Sequence, residues 1–194
     1  VLTGFKFIGE QIGILEKQGE EDRFIFGYEE SYGYLAGNYV RDKDAVNASM
    51  LICEMAAFYR TKGISLIQAR ENMYKTYGVY YHTQQSFTFE GKAGMEKMNS
   101  IMENLRKNYV AEIGGLKVIL FEDYLEGISK NVETGKITEI KLPKSNVLVF
   151  GLTDGAKVII RPSGTEPKIK AYYTAIGETQ SDAQALEKKL AESF

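Results

Sequence analysis

Residues Asn146–Ile160 read NVLVFGLTDGAKVII, in which two apolar runs flank the dipeptide Asp154-Gly155. Asp-Gly between apolar runs is a strong short-range signal for a β-hairpin, because both residues tolerate a positive φ. A further strand is predicted over Ile169–Ala175. These three strands predict an antiparallel sheet in the C-terminal part of the chain.

Helices and more strands are predicted around this hairpin. The strands cover Leu116–Phe121 and Lys136–Leu142, and a helix over Met95–Leu105 has its apolar residues at helical spacing. The last helix is predicted to open on a capping-box pattern, Ser181-x-x-Gln184. A helix, an antiparallel set of strands and a final helix make an α+β layer.

The N-terminal part is predicted to be mainly helical. Helices are expected over residues 7–18, 45–60 and 65–78, and a short strand over 23–26. The apolar stripe of helix 45–60 is broad and includes Cys53, so we expect that helix to be deeply buried. Residues 79–91 are rich in polar side chains and are interpreted as an extended linker, with a domain boundary near residue 84.

Composition bounds the class of protein. The chain of 194 residues is 44% hydrophobic with a net charge of −2, which offers no general attraction for nucleic acid. No apolar run approaches the roughly 18 residues of a membrane span. Cys53 is the single cysteine, so an intramolecular disulfide is excluded and a reducing cytoplasm fits. His82 has no metal-ligand spacing around it and is expected to be a packed or linker histidine.

The segment Arg161–Lys168, RPSGTEPK, gathers phosphate-binding groups between two predicted strands. The guanidinium of Arg161 presents a planar fork of donors that suits phosphate. Gly164 lets backbone N–H groups approach an anion, and Ser163 and Thr165 add hydroxyls. These residue types predict a phosphate-binding loop.

Charge beside this loop leaves an alternative open. Lys168 and Lys170 alternate along the following strand and so point to one face, where they could add positive charge. Glu166 favours the other interpretation, in which the loop is a charged surface turn and the lysines form a solvated strand face.

A second candidate loop is Gly27–Gly33, GYEESYG, which follows the apolar run Phe24–Phe26. In open α/β sheets, ligands bind beyond the carboxyl ends of strands. The carboxylate of Glu29 could accept hydrogen bonds from two neighbouring sugar hydroxyls, and Ser31 could add one more. Taken alone, the segment also fits an acidic, solvated loop.

Four segments together resemble the α-D-phosphohexomutase family. They are Thr3–Lys6, Gly27–Gly33, Arg41–Asp44 and Arg161–Lys168, and they occur in the family's order. The similarity is greatest to the phosphoglucomutase and phosphomannomutase branch, which has a Gly-Tyr-Glu-Glu-Ser-Tyr-Gly sugar loop. The resemblance covers essentially the whole chain.

The resemblance implies a C-terminal fragment of a four-domain enzyme. Residues 1–84 would be the end of domain 3, an α/β remnant of a mixed-sheet sugar-phosphate-binding domain. Residues 85–194 would be domain 4, an α+β domain of TBP-like type with an antiparallel sheet and helices. The family's phosphoserine loop and its Asp-Gly-Asp Mg²⁺ loop are not found in the sequence. We therefore expect a fragment that is inactive alone, holds no metal and exposes apolar surface, so that it self-associates.

The resemblance also implies a function for the parent protein. It would interconvert hexose 1-phosphate and hexose 6-phosphate through a phosphoserine and a hexose 1,6-bisphosphate, with Mg²⁺ in the missing domain 2. Its partners would be the hexose phosphate and the missing domains 1 and 2, in the cytoplasm, without nucleic acid or membrane. Glucose and mannose both remain open. The alternative is a non-catalytic module that binds sugar phosphates or other anions.

Site residues follow from the same resemblance. The substrate-binding residues would be Thr3, Gly4, Lys6, Glu29, Ser31, Arg41, Arg161, Ser163, Gly164, Thr165 and Lys168. Lys43 matches a lysine near the reacting oxygens and is the candidate proton carrier. The other interpretation of Lys43 is a solvated charge in front of a helix.

Overall fold

The computed structural model describes residues 1–29, 32–164 and 166–193. Two compact units, Val1–Asn72 and Met73–Phe194, divide the chain inside its third helix. Among the described residues, no helix has both the length and the apolar character that a membrane span requires.

The first unit combines helices with one short hairpin. Its elements are α1 (Phe5–Lys17), a 3-10 turn (Glu21–Arg23), β1 (Phe26–Tyr28), β2 (Tyr34–Ala36), α2 (Ala45–Thr61) and α3 (Leu66–Tyr77), which continues past the division. The strand predicted over residues 23–26 begins only at Phe26, because a 3-10 turn occupies its start. Strands β1 and β2 pair antiparallel, with Tyr28 opposite Tyr34, so the loop between them closes on a hairpin. Leu35 of β2 packs with Phe5 and Ile12 of α1 in a small core.

The apolar stripe of α2 is exposed, so the prediction of deep burial is wrong in this structure. Val46 is 73% exposed and Phe58 55% exposed, and no residue of the helix is buried. Cys53, predicted to be a core residue, is exposed on the same helix. The exposed apolar surface that the sequence predicts for this chain is therefore found on α2. Self-association through it stays a prediction.

The second unit is built on one antiparallel sheet. Its elements are β3 (Val79–Thr88), α4 (Gly91–Lys107), β4 (Glu112–Ile113), β5 (Leu116–Asp123), β6 (Ile128–Asn131), β7 (Ile137–Glu139), β8 (Leu148–Leu152), a 3-10 turn (Thr153–Gly155), β9 (Lys157–Pro162), β10 (Lys168–Gly177) and α5 (Gln180–Glu192). The strand order is β3-β10-β9-β8-β5-β6-β7, and β4 pairs with β5. The predicted α+β arrangement of antiparallel strands with helices is confirmed.

The hairpin predicted from Asp154-Gly155 is confirmed. Strands β8 and β9 pair antiparallel, with Leu148 opposite Ile160. Asp154 and Gly155 have φ values of 58° and 75°, the left-handed conformation that these residue types tolerate. Every residue of β8 is buried, so this hairpin forms the centre of the sheet.

Residues 79–91 are not a linker. Residues Val79–Thr88 form β3, which pairs along its whole length with β10, from Thr88 opposite Lys168 to Val79 opposite Gly177. Along the first half of β3 more buried residues alternate with exposed ones, the pattern of a strand with one covered face. Polar side chains on the exposed face concealed this alternation in the sequence.

Helices complete the core of the second unit. Met98 and Met102 of α4 and Leu190 of α5 belong to the same buried cluster as Phe150 and Tyr173 of the sheet. Helix α5 begins at Gln180, and its N-cap lies two residues before the predicted one. Its capping box is formed by Thr179 and Asp182 rather than by Ser181 and Gln184.

Candidate functional site

The predicted phosphate-binding loop is the connection between β9 and β10. At its base the Ser163 N–H donates to the Lys168 carbonyl at 2.7 Å, and the Lys168 N–H donates to the Glu166 carbonyl at 2.8 Å. The Pro167 carbonyl accepts from the Phe89 N–H at 2.8 Å, which ties the loop to the segment after β3. Thr165 lies outside the described residues. These bonds fix both ends of the loop.

Positive charge is concentrated on one face beside the loop. Arg161 and Lys170 lie directly opposite each other in the register of β9 and β10, and Lys168 shares the face of Lys170 because the strand period is two. The guanidinium carbon of Arg161 lies 6.0 Å from the ring centroid of Tyr172, a cation–π contact. In the described part of the chain, only Lys168 of these cations forms an ion pair, with Glu166 at 3.2 Å.

A cavity of about 650 Å³ opens beside the loop. It is lined by the loop residues, by Met95, Met98 and Asn99 of α4, and by Ser145 and Asn146 before β8. Its volume lies in the range of small-ligand sites, about 300–1,000 Å³. Sequence reasoning missed the residues from α4 and from the segment before β8, because only the folded sheet brings them to the loop.

The predicted sugar loop lies between β1 and β2. The Glu29 N–H donates to the Gly33 carbonyl at 2.8 Å, which closes the loop at its base. Glu30 and Ser31 lie outside the described residues. The side chain of Glu29 is only 9% exposed, and its Oε2 lies 2.7 Å from Nζ of Lys43. The structure thus brings together two predicted site residues, Glu29 and Lys43.

Gly33 leaves room for this ion pair. A Cβ at position 33 would lie 2.5 Å from Cδ of Lys43 and 3.0 Å from Oε2 of Glu29. Real Cβ atoms do not approach other atoms so closely, so a side chain here would displace Lys43. The absence of a side chain at position 33 therefore allows Lys43 and Glu29 to keep their observed positions.

Arg41 makes contacts within its own unit. One of its guanidinium nitrogens donates to the Asn38 carbonyl at 2.7 Å, and the other donates to the Glu16 carboxylate at 2.8 Å. A Cβ on Gly9 of α1 would lie 2.5 Å from the Arg41 carbonyl oxygen, so α1 packs tightly against this segment. In this arrangement Arg41 ties the segment before α2 to α1, and its predicted contact with substrate stays a prediction.

Asp44 is the N-cap of α2, as predicted. Its carboxylate accepts from the backbone N–H groups of Val46 and Asn47 at 2.8 and 3.0 Å, and from the Tyr39 hydroxyl at 2.6 Å. The Tyr39 hydrogen bond, followed by that of Asn47, lowers the pKa of Asp44. The same contact raises the pKa of Tyr39. Asp44 is thus committed to capping.

The residues Thr3, Gly4 and Lys6 surround the start of α1. Gly4 precedes the first helical residue with a φ of 123°, a conformation that glycine adopts readily, and its carbonyl accepts from the Phe7 N–H. Thr3 and Lys6 are exposed, and Nζ of Lys6 lies 4.9 Å from the ring centroid of Phe7. Their roles as substrate ligands stay predictions.

His82 lies on β3, where its Nδ1 is 3.0 Å from the Thr174 hydroxyl and its ring stacks on Tyr80. Within residues 1–29, 32–164 and 166–193, no group of three His, Cys, Asp or Glu side chains could hold a metal ion.

Two family descriptions match the chain. Residues 1–77 match "Phosphoglucomutase/phosphomannomutase, alpha/beta/alpha domain III", and residues 97–193 match "Phosphoglucomutase/phosphomannomutase, C-terminal domain".

Individual relatives agree with these matches. A phosphoglucomutase of Staphylococcus epidermidis is 42% identical over 174 residues, and one of Staphylococcus aureus strain bovine RF122 is 44% identical over 174 residues. Each match covers 90% of this chain, which spans 31% of the length of these relatives. The crystal structure of the Paramecium exocytosis-sensitive phosphoprotein pp63/parafusin, a phosphoglucomutase in its open form, matches with a TM-score of 0.61 at 21% identity. That match covers 98% of this chain and 31% of the Paramecium chain, and it supports the fold.

Proposed function

Because the chain belongs to the phosphoglucomutase/phosphomannomutase family, we propose that it provides sugar recognition and a phosphate clamp to a hexose phosphate mutase. The mutase would interconvert hexose 1-phosphate and hexose 6-phosphate through a phosphoserine and a hexose 1,6-bisphosphate. Since the chain spans 31% of the relatives' length, the activity and substrates are proposed for a longer protein that contains it. The observation that carries the proposal is the cationic face of Arg161, Lys168 and Lys170 beside an open cavity.

The clamp would hold the phosphate that is not being transferred. Arg161 could bind two phosphate oxygens with its planar fork, and the backbone N–H of Gly164 could add a further donor. The Tyr172 ring limits the orientations of the guanidinium, and this lowers the ordering cost of binding. Binding energy from a remote phosphate can then be used to orient the reacting end of the sugar.

Sugar recognition is proposed for Glu29 and for Ser31, which lies two residues further along the sequence. A carboxylate accepts hydrogen bonds from two adjacent hydroxyls, and the contact with Lys43 holds Glu29 in one orientation. Since such a carboxylate serves either epimer, glucose and mannose phosphates are both proposed as substrates.

Mg²⁺ would belong to another part of the longer protein. In the described residues of this chain, no group of three His, Cys, Asp or Glu side chains could hold a metal ion. Lys43 is proposed as a proton carrier through Nζ, which lies 2.7 Å from Oε2 of Glu29. A Lys43→Gln variant of the longer enzyme should then show an altered pH–rate profile, and an unaltered profile would remove Lys43 from proton transfer.

The clamp is tested by titrating this chain with glucose 6-phosphate while backbone amide NMR signals are followed. We expect shifts centred on residues 161–168 that are lost in Arg161→Ala and kept in Lys157→Ala. Lys157 is the matched control, because it is an exposed cation at the other end of β9. Shifts that survive in Arg161→Ala would exclude the clamp.

Catalysis is tested in the longer protein. Arg161→Ala should lower kcat/KM by about 100-fold, the usual worth of a charge-assisted contact. The 194-residue chain alone should have no mutase activity. Phosphate binding without mutase activity in the longer protein would favour the alternative, a non-catalytic module for sugar phosphates or other anions.

A further inference from the structure

Asn146 lines the proposed phosphate cavity. It precedes β8, whereas the Arg161 loop follows β9. Continuing the register in which Leu148 faces Ile160 places Asn146 beside Pro162, at the entry of that loop. Two hydrogen bonds to Tyr124 hold the residues on either side of Asn146. The Tyr124 N–H donates to the Val147 carbonyl at 3.0 Å, and the Ser145 N–H donates to the Tyr124 carbonyl at 3.2 Å.

The side chain of Asn146 is held by a buried ion pair. Nη2 of Arg106 donates to Oδ1 of Asn146 at 2.8 Å, and Nε of Arg106 donates to Oδ2 of Asp123 at 2.6 Å. The Asp123 side chain is 1% exposed and that of Arg106 is 18% exposed. Asp123 is itself fixed, because its Oδ1 accepts from the N–H groups of Leu125 and Glu126 at 2.9 and 3.2 Å.

This network determines which end of the Asn146 amide is available. A guanidinium has donors and no acceptor, so the atom that faces Arg106 must be the amide oxygen. The two N–H donors of Nδ2 are then left, and in the described part of the chain no group accepts from them. The positive charge of Arg106 is balanced by Asp123. Asn146 therefore offers neutral N–H donors to the cavity.

We propose that Asn146 is a further phosphate ligand, which donates from Nδ2 to the anion held by the Arg161 loop, and that Arg106 is its positioning residue. The proposal rests on the proposed phosphate clamp. A neutral amide donor would complement the cations Arg161 and Lys170, which line the same cavity.

The test is a titration of this chain with inorganic phosphate, followed by NMR. The decisive variant is Asn146→Asp, which keeps an oxygen for Arg106 but replaces the Nδ2 donors with an acceptor. The control is Asn99→Asp, which places the same charge on the α4 side of the same cavity. Arg161→Ala reports separately on the clamp.

We expect Asn146→Asp to weaken phosphate binding at least about tenfold, as for loss of a hydrogen bond to a charged group, and Asn99→Asp to weaken it less. The side-chain NH₂ signals of Asn146 should shift on phosphate addition in the wild-type chain. Equal weakening in the two Asp variants, or NH₂ signals that stay fixed while the amides of residues 161–168 move, would overturn the role of Asn146 and leave the clamp standing. Binding that Arg161→Ala does not reduce would overturn the clamp and the role of Asn146 together.

Discussion

Nζ of Lys43 lies 2.7 Å from Oε2 of Glu29, and this contact joins the loop between β1 and β2 to the segment that precedes α2. The carboxylate is nearly buried, whereas the lysine side chain is 51% exposed. Water therefore screens the pair from one side, and the lysine acts chiefly by orienting the carboxylate.

The strength of this pair can be measured with a double-mutant cycle of Glu29→Gln and Lys43→Met. Because Lys43 is half exposed, we expect a coupling energy of about 0.5 kcal/mol, typical of a partly screened pair. The measurement is urea unfolding followed by amide signals of residues 5–61. Lys17→Met, which removes an exposed lysine of α1, serves as control. A coupling energy of zero would show that the contact does not stabilise the unit.

Substitution of Gly33 should disturb the same pair. In Gly33→Ala the new methyl group would meet Lys43 and Glu29, so we expect a loss of about 1–2 kcal/mol from overpacking. The matched control is Gly13→Ala in α1, where nothing lies within 4 Å of the new Cβ. That change should be neutral or stabilise the helix by up to about 1 kcal/mol. Thermal unfolding of both variants checks the prediction, and equal melting temperatures would contradict it.

Removal of one partner from the buried pair of Arg106 and Asp123 should destabilise the second unit. Asp123→Ala leaves a mostly buried guanidinium without its carboxylate, which costs about 3 kcal/mol in comparable cases. The double variant Arg106→Met, Asp123→Leu should lose less, because neither charge remains. The exposed pair of Lys107 and Glu103 is the control, and Glu103→Ala should leave urea unfolding unchanged. An Asp123→Ala midpoint equal to that of wild type would refute the prediction.

Tyr173 should make stability depend on alkaline pH. Burial, followed by the negative charge of Glu187, raises the pKa of Tyr173 to about 12. The folded state therefore favours the neutral phenol, and this stabilisation is complete below about pH 10 and is lost as the pH rises towards 12. The wild-type free energy of unfolding should fall by about 2 kcal/mol more than that of Tyr173→Phe over this interval. Parallel pH curves for the two proteins would show that the phenol does not titrate in this way.

Local signals were sufficient for the central hairpin and for most helices. Asp154-Gly155 marked its turn because the left-handed backbone at both positions restricts the residue types there. Asp44 was recognisable as an N-cap from its place before an apolar periodic run. The turn and the N-cap depend only on residues that are close in the sequence, so both can be predicted from the sequence alone.

Features that depend on distant partners were missed. Residues Val79–Thr88 are a strand because β10 lies beside them, and their polar outer face gave no local sign of it. The burial of α2 was predicted from its apolar stripe, but an apolar stripe shows only that a face can be covered. Asn146 reaches the phosphate cavity through the strand register and the contact with Arg106, and neither is visible before folding.

Strand β3 also has a consequence for protein synthesis. Within the described part of the chain, β10 is the only strand that pairs with β3, and Thr88 cannot pair until Lys168 has been made. At about 5–20 residues per second, a ribosome needs several seconds to make the intervening chain. During that time β3 presents an unpaired edge. A stalled or nicked message that ends before β10 would therefore release a chain in which the clamp loop and the edge of the sheet are lost together.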